Sequence, residues 1–433
     1  MTNYKHMNVD MSTVYQIPQV NINLEDVNHA ANCLNNVIVH TPLEYSERLS
    51  EQYKATIYIK REDLQRCRSF KVRGAYNRII SLSKEERQNG IVCASAGNHA
   101  QGVAYSCASL HLKGTIFMPV STPLQKIDRV KKFGGSYIEI VTIGDTYDDA
   151  ANAAKEYCAA KGAAYIHPFD DYQVICGQAT IAQEIYGDLG DKLQMVVLAI
   201  GGGGLASGVS SYLKQKNSAI EIIGVEPLGA AGMSQSIQQG QVTSLESIDT
   251  FIDGAAVKLV GSNTFEICKN NLADTLLIPE GKVCTTMIEL YQNDGIIAEP
   301  AGALSISALD MLKDKIAGKV VVCILSGGNN DILRYPEVME RSLVYNGRKH
   351  YLIIEFNQKP GQLRKFVNDA LGPNDDIVRF EYMKKTNKES GAALVGIELG
   401  DKDNFMPLIE RMTETGINFR VLSSKELLYN YII

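Results

Sequence analysis

MVVLAIGGGGLASGVSSYL, residues 195–213, contains no charged side chain. Six apolar residues lead into four consecutive glycines, and a segment rich in small residues follows. The five glycines and three serines are unfavourable for a membrane-spanning helix. The pattern instead predicts a buried strand, a tight loop and the start of a helix.

Short apolar runs alternate with helix-length segments on both sides of this stretch, from about residue 55 to residue 330. This alternation predicts an α/β fold with parallel sheets that helices cover on both faces. The predicted strands are 56–60, 91–95, 115–120, 136–141, 195–200, 221–225 and 320–325. Segments 123–133 and 147–161 are predicted helices between them.

Three of the predicted strands end in unusual loops, namely ASAGNHAQG (94–102), GGGGLASG (201–208) and SGGNND (326–331). In open α/β sheets, ligands bind at the carboxyl ends of the strands. We therefore expect the functional site at these loops.

The pattern changes after about residue 340. Strands are predicted at 351–356, 376–383, 393–399 and 417–422, and helices at 360–371 and 404–416. The order β-α-β-β-α-β is typical of a ferredoxin-like domain. We predict a first domain, residues 1–340, with two α/β subdomains and a second domain, residues 341–433. The polar segment 341–348 is the predicted linker.

Charge and cysteine content limit the class of protein. The net charge of −6 argues against a nucleic-acid partner, because neutralising phosphates needs a basic surface. The polar N-terminal segment does not resemble a secretory signal, and no stretch predicts a membrane partner. Nine scattered cysteines without a C-x-x-C pair suggest reduced thiols, so we expect a cytoplasmic protein.

The glycine loop predicts an anion site. Backbone N–H groups at glycines and at a helix N-terminus suit a phosphate. No Lys-Ser/Thr follows, so a Walker loop is excluded. A dinucleotide fingerprint remains open, since Gly201, Gly203 and Ala206 fit G-x-G-x-x-A and Glu226 could accept a ribose hydroxyl.

The other loops favour pyridoxal phosphate over a nicotinamide cofactor. A pyridoxal phosphate enzyme needs an amine for a Schiff base, a phosphate cup, a partner for the ring hydroxyl and a partner for the ring nitrogen. Lys71, the glycine loop, Asn98 and Ser326 are residues of suitable chemistry. A dehydrogenase has no obvious use for this combination.

The motifs SFKVRGAY, ASAGNHAQGVA, GGGGL, EPAGAL and SGGN occur in the order found in one known family. Over roughly residues 25–430, the chain resembles the biosynthetic threonine dehydratases (threonine ammonia-lyases), which are fold-type II pyridoxal phosphate enzymes. The resemblance implies that residues 1–340 are the pyridoxal phosphate-dependent catalytic domain. It also implies that residues 341–433 are a single ACT-like regulatory domain.

The resemblance also implies roles for single residues. Lys71 would be the catalytic Schiff-base lysine, with Phe70 packing beside the cofactor ring. Asn98 would bond the ring hydroxyl, and Ser326 would face the ring nitrogen. The phosphate cup would be Gly201, Gly202, Gly203, Gly204 and Leu205.

Each of these residues also has a structural interpretation. Lys71 could be a solvated cation, although we expect desolvation, Arg68 and Arg73 to lower its pKa. Asn98 suits a helix N-cap, Phe70 could belong to the core, and Ser326 could lie in a plain turn. Glu299, in EPAGAL, is near these motifs but receives no assigned role.

The implied reaction converts L-threonine into 2-oxobutanoate and ammonia, the first step of isoleucine biosynthesis. Lys71 would remove the α-proton and the β-hydroxyl would leave. The released enamine would then hydrolyse in water. A hydroxyl at Ser326 favours such a β-elimination over transamination. The implied effector is isoleucine. Inhibition requires only that isoleucine bind one of two states of the protein more tightly than the other. The implied assembly is a homotetramer.

Other functions remain open at this level. L-Serine could be the preferred substrate, the glycine loop could bind NAD in a dehydrogenase, or the chain could be a catalytically silent sensor. Serine racemases of the fold that the chain resembles carry a serine at the position of Ala96, and an alanine cannot transfer a proton, so a racemase is disfavoured. Those racemases also hold a divalent metal through two acidic residues. Glu226 matches the first but Gly232 stands at the second, so a tight divalent metal site is not expected. We expect Glu226 to be a surface acid.

Overall fold

The computed structural model describes residues 22–384 and 389–423, together with Tyr429 and Ile432. Their strands form three sheets. The strands are β1 Leu43–Tyr45, β2 Thr56–Arg61, β3 Ile91–Ala94, β4 Gly114–Met118, β5 Ile138–Thr142, β6 Ala164–Tyr165, β7 Met195–Ala199, β8 Glu221–Pro227, β9 Asp274–Ile278, β10 Val320–Leu325, β11 Lys349–Asn357, β12 Asp376–Tyr382, β13 Ser390–Glu398 and β14 Asn418–Val421.

Helices separate most of these strands. They are α1 Leu24–Leu34, α2 Glu47–Tyr53, α3 Lys71–Ser81, α4 Lys84–Gln88, α5 Asn98–Leu110, α6 Leu124–Gly134, α7 Tyr147–Lys161, α8 Tyr172–Leu189, α9 Gly204–Lys216, α10 Gly232–Gln239, α11 Ser262–Asn271, α12 Glu280–Asp294, α13 Pro300–Ser307, α14 Leu309–Ile316, α15 Tyr335–Tyr345, α16 Gln362–Asp369 and α17 Phe405–Glu414. None of the helices in the described ranges is long and apolar enough to cross a membrane.

The largest sheet has six strands in the order β1-β2-β10-β7-β8-β9. All neighbours are parallel except β1, which runs antiparallel to β2. In the central strand β10, Val321 and Cys323 pack into the core on one face and Val322 and Ile324 into the core on the other. Burial on both faces explains why this strand is apolar throughout.

A second, four-stranded parallel sheet has the order β5-β4-β3-β6. Helices pack on both of its faces, as the sequence predicts: α5 meets one face through Val103 and α7 meets the other through Ala154. The predicted fold class is therefore confirmed for this part of the chain. The predicted strands thus divide between a parallel four-stranded sheet and a six-stranded sheet that is parallel except for β1. The three unusual loops follow strands of both sheets.

The C-terminal sheet is antiparallel, in the order β12-β13-β11-β14. Together with α16 and α17 it has the predicted order β-α-β-β-α-β. Phe366 of α16 and Met412 of α17 pack against Ile354 and Val395 of the sheet. The predicted ferredoxin-like fold is confirmed.

The interpretation of residues 341–348 as a polar linker is wrong for their first five residues, which form the end of α15. Val338 and Ser342 of this helix are buried, and Ser342 hydrogen bonds with Thr285 of α12. Arg341 stacks over Phe251, 4.3 Å from its ring centroid. This segment therefore packs against the α/β part. The domain boundary itself stays a prediction.

Candidate active site

The carboxyl ends of β7 and β10 and the N-terminus of α3 surround one cleft. The cleft is lined by Phe70, Lys71, Phe169, Ala199, Gly201, Gly202, Gly203, Gly204, Leu205, Gly254, Ala255, Ala301 and Ser326. Eight of the nine predicted site residues are in this lining, and the ninth, Asn98, is the first residue of α5 and lies outside it.

Lys71 is the first residue of α3, and its Nζ donates a hydrogen bond to the Pro168 carbonyl oxygen at 2.8 Å. Burial lowers the pKa of this amine from 10.5 to about 8, against the opposing effect of the Glu299 carboxylate. A neutral amine is the form that attacks a carbonyl or accepts a proton. Lys71 is therefore a candidate nucleophile and base.

The expectation that Arg68 and Arg73 lower the pKa of Lys71 is wrong. Arg68 is exposed. Arg73 is fully buried, and its charge is compensated by Glu62 at 2.7 Å and Glu184 at 2.6 Å. Desolvation alone lowers the lysine pKa.

The buried ion pairs instead fix the helix that carries Lys71. Arg73 lies two residues further along α3, while Glu62 follows β2 and Glu184 lies on α8. Lys60, also fully buried, donates to the same Glu184 carboxylate at 2.5 Å. Two cations and two carboxylates thus connect α3 to the six-stranded sheet and to α8.

The glycine loop sits at the N-terminus of α9, as the sequence predicts. A Cβ on Gly202 would overlap the Phe169 ring, and one on Gly204 would lie 3.0 Å from Phe169. Gly203 has a φ of +95°, which side chains other than glycine rarely adopt. Thr264 Oγ1 donates to the Gly202 carbonyl oxygen at 2.6 Å and supports the loop from behind. The backbone therefore forms a cup suited to an anion.

Asn98 does not cap α5. Gly97 occupies the N-cap position, and Asn98 is the first helical residue, without a capping hydrogen bond. Its Nδ2 donates to Glu299 Oε1 at 2.7 Å, and its Oδ1 accepts from Asn329 Nδ2 at 2.8 Å. The alternative of a helix cap is wrong, and the side chain belongs to a polar network.

Ser326 and Phe70 lie on neighbouring walls of the cleft. The buried Ser326 hydroxyl donates to the Ala301 carbonyl oxygen at 3.3 Å. The Ser326 carbonyl oxygen accepts from the Phe70 backbone N–H at 3.2 Å. The Phe70 ring centroid is 5.3 Å from Lys71 Nζ. Phe70 also packs against the core, so both of its predicted environments are present.

Glu226 is not the surface acid that we expected. It is fully buried, and its carboxylate accepts the backbone N–H groups of Met233 and Ser234 at 2.7 and 2.8 Å. Both groups belong to the first turn of α10. Because its oxygens serve this helix, Glu226 is not free to bind a ribose, which weakens the dinucleotide alternative.

Two polar residues at the site received no role from the sequence. Glu299 is buried, and burial raises its pKa to about 7. Asn329 donates to Asn98 and also to the Cys67 carbonyl oxygen at 2.7 Å. The motifs EPAGAL and SGGNND contained both residues, but spacing along the chain could not show their contacts.

Comparison with known proteins decides the family. Residues 34–327 match the family described as pyridoxal-phosphate dependent enzyme, and residues 340–432 match the C-terminal regulatory domain of threonine dehydratase. The L-threonine dehydratase biosynthetic IlvA of Halalkalibacterium halodurans is 52% identical over 412 residues, which are 95% of this chain and 99% of that protein. The chain belongs to the biosynthetic threonine dehydratase family.

Solved structures agree with this membership. The processed form of threonine deaminase isoform 2 from Solanum lycopersicum is 40% identical, with a TM-score of 0.71 over 74% of this chain and 88% of that one. A serine racemase from Dictyostelium discoideum is 32% identical, with a TM-score of 0.67 over 72% of this chain and 100% of that one. The dehydratase family therefore shares its catalytic fold with racemases.

The residues of the cleft fit pyridoxal phosphate, the cofactor of this family. The amine of Lys71 has a lowered pKa, as bonding to an aldehyde requires. Beside it, the glycine loop has no side chain between its backbone and an anion. The cleft therefore contains both an amine and a phosphate cup.

Proposed function

We propose that the chain catalyses the pyridoxal phosphate-dependent conversion of L-threonine into 2-oxobutanoate and ammonia, the first step of isoleucine biosynthesis. The observation that carries this proposal is the position of Lys71. Its amine, with a pKa of about 8, shares one cleft with the glycine loop and Ser326. In the net reaction threonine loses one molecule of ammonia, so no oxidant is required.

Each cleft residue has a defined task in this proposal. When bound, pyridoxal phosphate supplies an electron-withdrawing ring that acidifies the α C–H bond of the substrate. The Gly201–Gly204 backbone and Leu205 would hold the phosphate through N–H groups. The Ser326 hydroxyl would bond the ring nitrogen, Asn98 would bond the ring hydroxyl, and Phe70 would pack beside the ring.

Lys71 is the catalytic base. With its pKa near 8, about a tenth of the amine is neutral at pH 7 and can accept the α-proton. Ser326 presents a hydroxyl and no carboxylate to the ring nitrogen, so it does not hold that nitrogen protonated. The ring would then withdraw electrons from the substrate less strongly, which favours loss of the β-hydroxyl over transamination.

The C-terminal domain is proposed to bind isoleucine and lower the activity. The match of residues 340–432 to a threonine dehydratase regulatory domain supports this. For this inhibition, isoleucine needs to bind one of two states of the protein more favourably than the other by only about 1–3 kcal/mol. The contact of α15 with α12 provides a physical connection between the two parts.

We also propose a homotetramer in the cytoplasm, without a nucleic-acid or membrane partner. Exposed apolar side chains after β10, with Ile332 at 76% and Leu333 at 82%, are suited to contact another subunit. All nine cysteines are unpaired, which agrees with a reducing compartment. Size-exclusion chromatography with light scattering tests the assembly.

The decisive experiment measures 2-oxo acid release from L-threonine and from L-serine at rising isoleucine concentration. We expect threonine to be preferred and isoleucine to suppress release, and Lys71→Ala to abolish it. Release that is indifferent to isoleucine would remove the proposed effector and keep the chemistry. A preference for serine would replace the substrate.

A further inference from the structure

Asn98 lies in a chain of hydrogen bonds that crosses between the two parallel sheets. Asn98 follows β3 of the four-stranded sheet, whereas Asn329 follows β10 of the six-stranded sheet. Glu299 is the N-cap residue of α13. Arg129, on α6, donates from Nη1 to Asn329 Oδ1 at 3.1 Å. Four side chains from four separate segments thus form one network.

The two ends of this network have opposite hydrogen-bonding character. A guanidinium can only donate, and an ionised carboxylate can only accept. Arg129 therefore requires Asn329 to turn its oxygen outward and its amide nitrogen toward Asn98. Glu299 Oε1 can only accept, so Asn98 must turn its amide nitrogen toward this oxygen. No free choice of amide orientation remains at either asparagine.

The backbone strengthens the same orientation. The Asn329 backbone N–H donates to Glu299 Oε2 at 3.2 Å, so both carboxylate oxygens are occupied by asparagine donors. Asn329 Nδ2 also donates to the Cys67 carbonyl oxygen, four residues before Lys71. Asn98 Nδ2 has a second hydrogen, which makes no bond to any described residue in this structure.

We propose that Glu299, Asn329 and Arg129 are positioning residues that hold Asn98 as a hydrogen-bond donor toward the ring oxygen of the cofactor. The inference rests on the proposed function, because it concerns how this chain treats pyridoxal phosphate. A donor at that place stabilises the deprotonated ring oxygen. With the amide reversed, Asn98 would present an acceptor to the same oxygen and repel it.

The test compares two cofactors on the full-length apo-protein at a pH above 8. One is pyridoxal 5′-phosphate, and the other is 3-deoxypyridoxal 5′-phosphate, which lacks the ring oxygen. Asn329→Ala should weaken binding of the first about tenfold, the effect of one lost hydrogen bond to a charged group. Binding of the deoxy compound should change less than about twofold.

Glu299→Gln has the same shape and provides a second variant. It replaces an acceptor-only group by an amide, so one of the two asparagine donors loses its partner. We expect the same selective loss of about tenfold, together with a changed absorption spectrum of the bound natural cofactor. Lys132→Gln is the matched control, because Lys132 also lies on α6 but is exposed and outside the network. It should leave both affinities unchanged.

The outcomes separate the two claims. Equal weakening for both compounds would make the network a structural support only and would overturn the inference, as would two unchanged affinities. If the unaltered chain bound neither compound, the proposed function would fail first. Selective loss in both variants, with the control unchanged, supports the positioning role.

Discussion

Lys71 should react as a neutral amine at a pH where ordinary lysines are almost fully protonated. The perturbation is pH, applied to the apo-protein. Burial lowers the pKa of Lys71 from 10.5 to about 8, and Glu299 limits the decrease. Because only the neutral form is nucleophilic, the reaction rate with an amine reagent follows the neutral fraction.

The expected magnitude is large. At pH 7 an amine with a pKa near 8 is about 9% neutral, whereas one with a pKa of 10.5 is about 0.03% neutral. At equal intrinsic reactivity and access, Lys71 should therefore be labelled about 300 times faster than an exposed lysine. Its rate should rise about tenfold per pH unit below 8 and level off above it.

Peptide mapping by mass spectrometry after brief labelling measures every lysine in the same sample, so the exposed lysines are internal controls. Glu299→Gln should move the midpoint of the Lys71 profile to lower pH, since it removes the negative charge that raises the pKa. Bound pyridoxal phosphate should protect Lys71. A rate that keeps rising to pH 10, as for the exposed lysines, would refute the reasoning.

Three further substitutions test other parts of the structure. Arg73→Met leaves Glu62 without its buried cation and Glu184 with Lys60 alone, so denaturant unfolding should show a loss of about 3–5 kcal/mol. An unchanged midpoint would contradict the proposed anchoring of α3. Gly202→Ala forces a Cβ against Phe169 and should weaken pyridoxal phosphate binding at least about tenfold, measured by titration of the apo-protein. Gly187→Ala is the control, because a Cβ there meets open space, and it should leave binding unchanged. Phe366→Ala removes a ring of α16 from the core that this helix forms with the C-terminal sheet. It should lower the free energy of unfolding of that part of the chain by about 3–5 kcal/mol, and hydrogen exchange would measure the loss.

Long apolar strands could be predicted from the sequence, and very short ones could not. The run 320–325 is β10 with the predicted ends, because burial on both faces requires every residue to be apolar. β1 and β6 have only three and two residues. A periodic pattern needs more residues than that, so neither strand was predicted.

The candidate site was predicted as far as local motifs define it. The glycine loop and Lys71 lie in short motifs whose chemistry is visible in the residues themselves. The partners of Asn98 could not be predicted, because Glu299 is 201 residues away. Glu226 was expected at the surface, since a strand end is often exposed, but the free N–H groups of α10 hold it inside. Such contacts depend on how segments pack.

The position of β10 has a consequence for the order in which the chain can fold during its synthesis. This strand lies between β2 and β7, yet it is the last of the six to be made. At about 5–20 residues per second, roughly 13–50 s separate the emergence of Lys71 from that of residue 325. Until then β2 and β7 present unpaired edges, and Ser326 has not yet been added. Unpaired edges can pair with other chains during that time, and the cofactor cleft cannot assemble before three quarters of the chain has been translated.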